Sequence, residues 1–289
     1  MPESNTGTMA ALPSHLHLVY HSHHPYPQQV PLDGVYADLE LPVGTTTRPF
    51  AYLNMVQTFD GQAVLGGSAW TIGTDVDHHL FRQLRVHADA VLYGAGTLRT
   101  DDVVVTTLPA LQQRRIQRGQ PPNPTAIVVT ATCRFSEQVF AKKFFHRTDF
   151  GRVIITTPRA MPSDVARVQA AGVRVHVLAA GGDGEVSLEA VLHHLADTGA
   201  RRVLCEGGPT VTTALARAEL LDELFVTVST RLGGDPASPR VITGPVTDRP
   251  LEPISEYHYR TEHGVREVYF RFRYPKERGD LRSTPAGQT

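Results

Sequence analysis

Residues 84–102 read Leu-Arg-Val-His-Ala-Asp-Ala-Val-Leu-Tyr-Gly-Ala-Gly-Thr-Leu-Arg-Thr-Asp-Asp. The apolar run Ala88–Tyr93 is short and bounded by polar and glycine residues, the pattern of a strand covered on both faces. Gly94-Ala95-Gly96-Thr97 follows it at once and can open a helix. A buried strand running through a glycine turn into a helix is the start of a βαβ unit. The same unit recurs outward in both directions. Phe50–Gln57, Thr125–Thr130, Arg152–Thr156, Val173–Leu178, Arg201–Cys205 and Leu224–Thr230 are further Val/Ile/Leu-rich runs of strand length.

Helix signals fill the gaps between these runs. Thr74 precedes Val76, Leu80 and Leu84 at four-residue spacing, with Asp75 and Asp77 in the first turn where the helix dipole favours them. Ser187 caps a stretch that places Leu188, Val191, Leu192 and Leu195 on one face, and Gly199 ends it. After Pro253 the pattern changes: Ile254–Arg260 and Val265–Tyr274 flank the turn Glu262-His263-Gly264 and predict an antiparallel hairpin. The expected fold is therefore α/β, a single domain with a mixed, mostly parallel central sheet, helices on both faces and a C-terminal antiparallel hairpin.

Three expectations follow for domain organisation. Residues 1–47, rich in Pro, His and Gly, form a partly ordered extension; residues 48–275 form the domain; residues 276–289 form a loose polar tail. The chain of 289 residues has a net charge of −1, with 28 basic and 29 acidic residues mixed along its length, which gives no field to collect nucleic acid. No apolar stretch is long enough to span a bilayer and no secretory signal pattern opens the chain, so the expected compartment is the cytoplasm. Two cysteines, Cys133 and Cys205, are too few for a disulfide framework or a thiolate metal cage. His15, His17, His21, His23 and His24 read as a solvated tract with no partner ligands, so no metal is expected.

The chemistry-bearing candidates sit at the ends of strands. Gly94 and Gly96 let backbone N–H groups approach a phosphate, although a full dinucleotide fingerprint is missing because Arg99 stands at the third glycine position and no acid follows near Ile116–Gly119. A tight strand-to-helix turn without a ligand accounts for these glycines better than a true dinucleotide fingerprint does. Glu206-Gly207-Gly208-Pro209-Thr210 is a second such turn, with Pro209 suited to a first helical position and Thr210 offering a hydroxyl there. Two glycine turns on one sheet can hold the two halves of a dinucleotide. A third segment, Asn54 to Trp70, runs from a strand through Thr58-Phe59-Asp60-Gly61 to Ser68-Ala69-Trp70; Asp60 reads by itself as a turn-former and Trp70 as core.

Taken together, Phe59-Asp60-Gly61, Ser68-Ala69-Trp70, residues 84–102 and Glu206–Thr210 resemble the C-terminal reductase domain of RibD, the bifunctional riboflavin-biosynthesis protein, in order and spacing from about Arg48 to Tyr274. The resemblance implies a dihydrofolate-reductase-like fold, NADPH as cofactor, hydride delivery to a pyrimidine bearing a phosphoribosyl group, and a homodimer. It places Gly94, Gly96, Thr97, Asp101, Gly207, Gly208, Pro209 and Thr210 against NADPH, with Val56 touching it through the backbone and Trp70 beside the nicotinamide. Thr130, Thr132 and Arg134 fall near the adenosine 2′-phosphate, and Asn54, Ser68, Arg85 and Glu206 on substrate-side positions. Asp60 and Glu206 are the acids expected to orient substrate or deliver a proton.

Two departures concern substrate. Gln62 stands where the family has a basic residue, and Leu108 stands where it has an arginine for the substrate phosphate, so Arg85 carries the charge complementarity unless Arg114 or Arg115 folds in. The deaminase half of RibD, with its Pro-Cys-x-x-Cys zinc motif, has no counterpart in this sequence. Poor reduction of 5-amino-6-(5-phosphoribosylamino)uracil is therefore expected. The other readings are a dihydrofolate-type reductase and a non-catalytic NADP(H)-binding homologue.

Overall fold

The computed structural model describes residues 12–23, 25–244, 246 and 250–275. In chain order the strands are β1 (His15–His21), β2 (Gln28–Pro31), β3 (Phe50–Thr58), β4 (Ala90–Gly94), β5 (Thr125–Val129), β6 (Arg152–Thr156), β7 (Arg174–Val177), β8 (Arg202–Cys205), β9 (Glu223–Ser229), β10 (Glu252–Thr261) and β11 (Gly264–Arg273). The α-helices are α1 (Asp75–Leu84), α2 (Ala95–Thr100), α3 (Pro109–Gln117), α4 (Glu137–Phe140), α5 (Lys143–His146), α6 (Pro162–Ala170), α7 (Leu188–Asp197) and α8 (Pro209–Arg217).

All eleven strands form one sheet in the order β2-β1-β10-β11-β9-β3-β8-β4-β5-β6-β7. From β9 to β7 every pairing is parallel, and from β9 outward through β11, β10, β1 and β2 every pairing is antiparallel. This is the mixed sheet the sequence predicts. The two arrangements have one cause each: helical crossovers return the chain parallel to itself, whereas the two-residue connection Glu262-His263 leaves room only for a hairpin, closed by Gly264 at φ 105°.

Both faces of the sheet are covered. One core gathers Val76, Leu80 and Leu84 of α1, Leu98 of α2, Phe144 of α5 and Val168 of α6 against Tyr52, Val91, Val128 and Ile154. The other gathers Leu188, Val191, Leu192 and Leu195 of α7 and Val211 and Leu215 of α8 against Leu53, Leu92, Ile155 and Val203. Helix starts follow the sequence: the Thr74 hydroxyl accepts from the Val76 N–H, the Ser187 hydroxyl accepts from the Ala190 N–H, and Pro209 opens α8.

The N-terminal extension departs from expectation. Its described part supplies two strands to the sheet, and β1 covers the edge that β10 would otherwise present. Leu16 and Leu18 alternate inward and are essentially inaccessible, while His15 and His17 lie between and beside them. A seven-residue strand whose outward positions are His15, His17, Val19 and His21 is too short to show a sustained apolar period, which is why its sequence reads as irregular. Further along, Leu32, Val35, Tyr36 and Leu41 are buried as well, the Tyr36 carbonyl accepts from the His87 ring at 2.8 Å, and the Tyr36 ring meets Phe225 edge-on at 5.1 Å. A boundary at residue 48 therefore cuts through a shared core. His24 and the tail 276–289 lie outside the described residues.

This packing makes the segment a stability element. Leu16→Ala is expected to lower unfolding free energy by about 2–5 kcal/mol, the range for emptying a sealed leucine site. Urea denaturation of the full chain checks it, and an unchanged midpoint would show that β1 is an ornament on an already complete domain.

Candidate active site

The carboxyl ends of β3, β4 and β8 open into a cleft of about 820 Å³. Ligands of open α/β sheets bind in this position because the helix N-termini and strand carboxyl ends converge there. The two glycine turns meet on one side. The Gly94 N–H donates to the Gly207 carbonyl at 2.9 Å, so the end of β4 is bonded to the turn that follows β8. Gly207 has φ 88°, and a Cβ on it would stand 2.8 Å from the Met55 sulfur; a Cβ on Gly94 would stand 2.9 Å from the Val211 side chain. The peptide between Gly207 and Gly208 is cis. Gly208 then caps α8, with Thr97 Oγ1 only 3.1 Å from where a Cβ would lie. Gly94, Gly96, Thr97, Asp101, Gly208, Pro209 and Thr210 all line the cleft, as do Asn54, Val56 and Trp70.

The floor is a buried ion pair. Arg85 Nε donates to Glu206 Oε1 at 2.7 Å and Nη2 to Oε2 at 2.6 Å, the bidentate geometry that suits a planar guanidinium. Nη2 also donates to the Tyr93 hydroxyl at 3.0 Å, and that hydroxyl donates in turn to Glu206 Oε2. Nη1 serves the carbonyls of Val104 at 2.9 Å and Thr106 at 3.3 Å. A guanidinium has five N–H donors, and here five acceptors take them. Arg85 is thus a structural clamp with no donor left for a substrate anion, contrary to the role expected of it. Burial pushes the Tyr93 phenol well above its ordinary range, which keeps it a donor to Glu206 at neutral pH.

One wall is built by α1. Trp70 is half exposed and stacks on His78, with ring centroids 3.6 Å apart and planes 13° apart. Phe81 closes edge-on against both rings. Burial lowers the His78 imidazole below its ordinary value, so the stack is neutral near pH 7. Arg82 gives Nη1 to the His78 carbonyl at 3.0 Å and, among the described residues, has no carboxylate within ion-pair distance. Asp77, His78, Phe81 and Arg82 all line the cleft, and sequence reading missed them. Their signal was present as a second stripe at three- and four-residue spacing on a helix read only for its apolar face. Tyr93, Lys143 and Arg147 also line the cleft and were not singled out.

Several expected residues stand elsewhere. Asp60 is off the cleft: its carboxylate accepts from the Thr58 hydroxyl at 2.6 Å, from the backbone N–H groups of Gly233 and Gly234 at 2.9 Å each, and from Gln62 Nε2 at 3.2 Å. The Gly233 N–H leads these in holding the carboxyl well below the usual carboxylate range, so it pins the 233–235 loop and has no proton to give near neutrality. Gln62 is buried and joins the same tie by donating to the Asp235 carbonyl at 2.8 Å. Ser68 reaches the site indirectly, through a 2.8 Å bond to Asp101. Thr130, Thr132 and Arg134 are outside the cleft wall; Val129 pairs with Gly94, so they leave the sheet beside the first glycine turn. Arg114 pairs with Asp38, and Arg115 is buried against the carbonyls of Arg85, Val86 and Ala88. Neither replaces an arginine at Leu108, which immediately precedes α3 as its N-cap.

Fold and cleft together define an α/β protein that receives a small ligand at the strand carboxyl ends, between two glycine turns and an aromatic wall. Residues 49–260 match the model of the RibD C-terminal domain, and the chain belongs to that family. A 2,5-diamino-6-ribosylamino-4(3H)-pyrimidinone 5′-phosphate reductase of Archaeoglobus fulgidus is 29% identical over 199 residues, 68% of this chain and 87% of that protein. The enzyme of the same name from Methanothermobacter thermautotrophicus is 26% identical over 207 residues, 72% of this chain and 89% of that protein. In fold, a pyrimidine reductase-like protein of Corynebacterium diphtheriae superposes with a TM-score of 0.68 at 21% identity, over 85% of this chain and 99% of that one. The chain is an oxidoreductase by family, resembling the reductases of riboflavin biosynthesis.

The Arg85 clamp has a measurable consequence. Arg85→Met leaves the Glu206 charge buried without its partner and is expected to lower stability by about 3–5 kcal/mol, whereas removing a dedicated substrate cation would leave stability intact. Chemical denaturation of the ligand-free protein separates the two.

Proposed function

We propose that this chain is an NADPH-dependent reductase of an aminopyrimidine bearing a ribosyl-type side chain. The observation that carries the reading is the meeting of the two glycine turns beside the Trp70–His78 stack. The residues present fit a dinucleotide. Gly208 leaves open a space that a Cβ would fill, α8 presents its N-terminus there, and Thr97 and Thr210 offer hydroxyls at the same rim. Gly94, Gly96, Asp101 and the backbone at Val56 complete that side, and Thr130, Thr132 and Arg134 extend it toward a 2′-phosphate. When bound, the nicotinamide supplies the hydride.

The protein's own contribution is positional. Tyr93 and Arg85 hold the Glu206 carboxylate in place, so it is a fixed feature of the cleft floor. The Trp70–His78 stack offers a flat neutral surface for a planar ring. Ser68 steadies Asp101. The same reading carries a homodimer and sets the reductase site within residues 48–275, with β1, β2 and the buried residues 32–41 completing its sheet and core; the free, buried Cys133 and Cys205 suit a reducing cytoplasm. Sedimentation velocity tests the dimer.

Calorimetry is expected to show NADPH binding more tightly than NADH, and Gly208→Val to abolish it in a folded protein, because the added branch enters the space beside Thr97. Equal affinity for both nucleotides, or unchanged affinity in the variant, would remove the cofactor assignment.

Substrate charge is a separate prediction. A bidentate arginine on a phosphate contributes about 1.5–3 kcal/mol, or roughly 10- to 150-fold. Leu108 cannot make that contact and Arg85 is fully engaged; of the other cations in the cleft wall, Lys143 is paired with Asp102 and Arg147 with Asp149, which leaves Arg82 without a carboxylate partner among the described residues. The expected kcat/KM for a 5′-phosphorylated substrate such as 5-amino-6-(5-phosphoribosylamino)uracil is therefore low, within about 10-fold of that for its dephosphorylated form. A preference above about 100-fold would mean that other cations compensate.

A further inference from the structure

We propose that Asp77, in the cleft wall on the first turn of α1 and three residues from Thr74, which is hydrogen-bonded to Glu267 of β11, is the carboxylic acid that protonates the substrate as it is reduced. The proposal deepens the reductase reading and rests on it. Hydride addition to a polarised C=N or C=O bond forms a C–H bond and leaves the electron pair of the π bond on the heteroatom. A proton must meet that pair. The hydride comes from a reduced nicotinamide, and the proton needs a donor that is still protonated near neutral pH.

Cleft geometry narrows the choice. Glu206 lies there, but both its oxygens are already engaged as acceptors from Arg85 and Tyr93. His78 is neutral and its Nε2 is bonded to the Trp70 carbonyl. Asp60 is outside. Asp77 is both in the wall and nearly sealed from solvent.

The way hydrogen-bond donors are shared decides which carboxyl of the pair keeps the proton. Glu267 accepts from the Thr74 N–H at 2.6 Å, from the Thr74 hydroxyl at 2.6 Å and from the Tyr269 hydroxyl. Burial raises the Glu267 carboxyl above its ordinary value, and these three donors oppose that raise by favouring its ionised form. Among the described residues the groups acting on Asp77 are Glu267 and the Thr227 hydroxyl, with no cation. Burial, then the Glu267 charge, raise the Asp77 carboxyl to about 7, against the smaller opposing bond from Thr227. Two carboxyls in one pocket whose surroundings push them apart form an acid and a base of different strength. Around the pair, Asp75 is exposed on the first turn of α1, Tyr36 and Tyr269 are buried phenols, and Arg266 acts on Glu267 rather than on Asp77.

Gly73 keeps the space free, since a Cβ there would lie 2.3 Å from Asp77 Oδ2. In the step itself the Asp77 O–H bond breaks, the N–H or O–H bond of the product forms, and Asp77 is left as a carboxylate that solvent entering the open cleft reprotonates.

The direct test is the carboxyl resonance of Asp77 by carbon-detected NMR of the ligand-free protein across pH 4–9. A titration near neutrality is expected, moving down in Glu267→Gln as the like charge disappears; titration in the ordinary carboxylate range overturns the proposal whatever the activity. The kinetic arm uses Asp77→Asn with NADPH and the phosphorylated and dephosphorylated pyrimidines. A loss in kcat of about 10²- to 10⁴-fold is expected with NADPH affinity unchanged. In the native enzyme kcat should fall as pH rises through neutrality, and the variant should lose that limb. Turnover within threefold of native in Asp77→Asn overturns the proposal. Failure of the reductase reading looks different: NADPH is then not oxidised by the native enzyme at any pH, while the NMR titration still reports where the proton of the pair resides.

Discussion

The Arg85–Glu206 pair is the constraint on which the site is built. Arg85 lies just past α1, Tyr93 on β4, Glu206 just after β8, and Val104 and Thr106 on the irregular segment between α2 and α3. One guanidinium therefore joins four stretches of chain at the cleft floor. A buried ion pair is a weak source of stability when its oxygens and N–H groups are only partly satisfied. Here every guanidinium donor has an acceptor, and both carboxylate oxygens accept, so the desolvation cost is offset locally and the arrangement has one geometry.

From that floor the two glycine turns take their places. β4 and β8 are neighbours in the parallel half of the sheet, so the turns that leave them are side by side, and the bond from Gly94 to Gly207 fixes their spacing. The absence of side chains at Gly94 and Gly207 is required by Val211 and Met55, which would otherwise collide with them. Packing and ligand space thus make the same demand on these residues, and neither purpose can be read from the glycines alone.

The antiparallel half supplies what the parallel half lacks. Helix α1 lies over β9 and β11, and through Thr227, Glu267 and Tyr269 these strands determine the surroundings of Asp77. Their edge is closed by β10 and then by β1, so the N-terminal segment supports the cleft from two strands away. Without that segment β10 would present unpaired backbone groups, and Tyr257 and Phe225 would lose the Tyr36 ring that packs edge-on against both.

The sequence by itself determined the βαβ core, the hairpin and the two glycine turns. Those features arise from local patterns: short apolar runs, capping residues such as Thr74 and Ser187, and turn chemistry at Gly264. Motif order also determined the family, because four separated signatures had to occur in register. Only the tertiary structure decided what the charged residues do. Arg85 looked free to hold an anion until five acceptors closed around it, and Asp60 looked like an acid until backbone N–H groups of a loop more than 170 residues away fixed it as a carboxylate. Asp77 looked like a helix-dipole residue of the first turn until Glu267, 190 residues later in the chain, came to rest beside it. The physical reason is common to all three: a side chain's protonation and its spare hydrogen-bonding capacity depend on burial and on partners distant in sequence, and no local pattern records either.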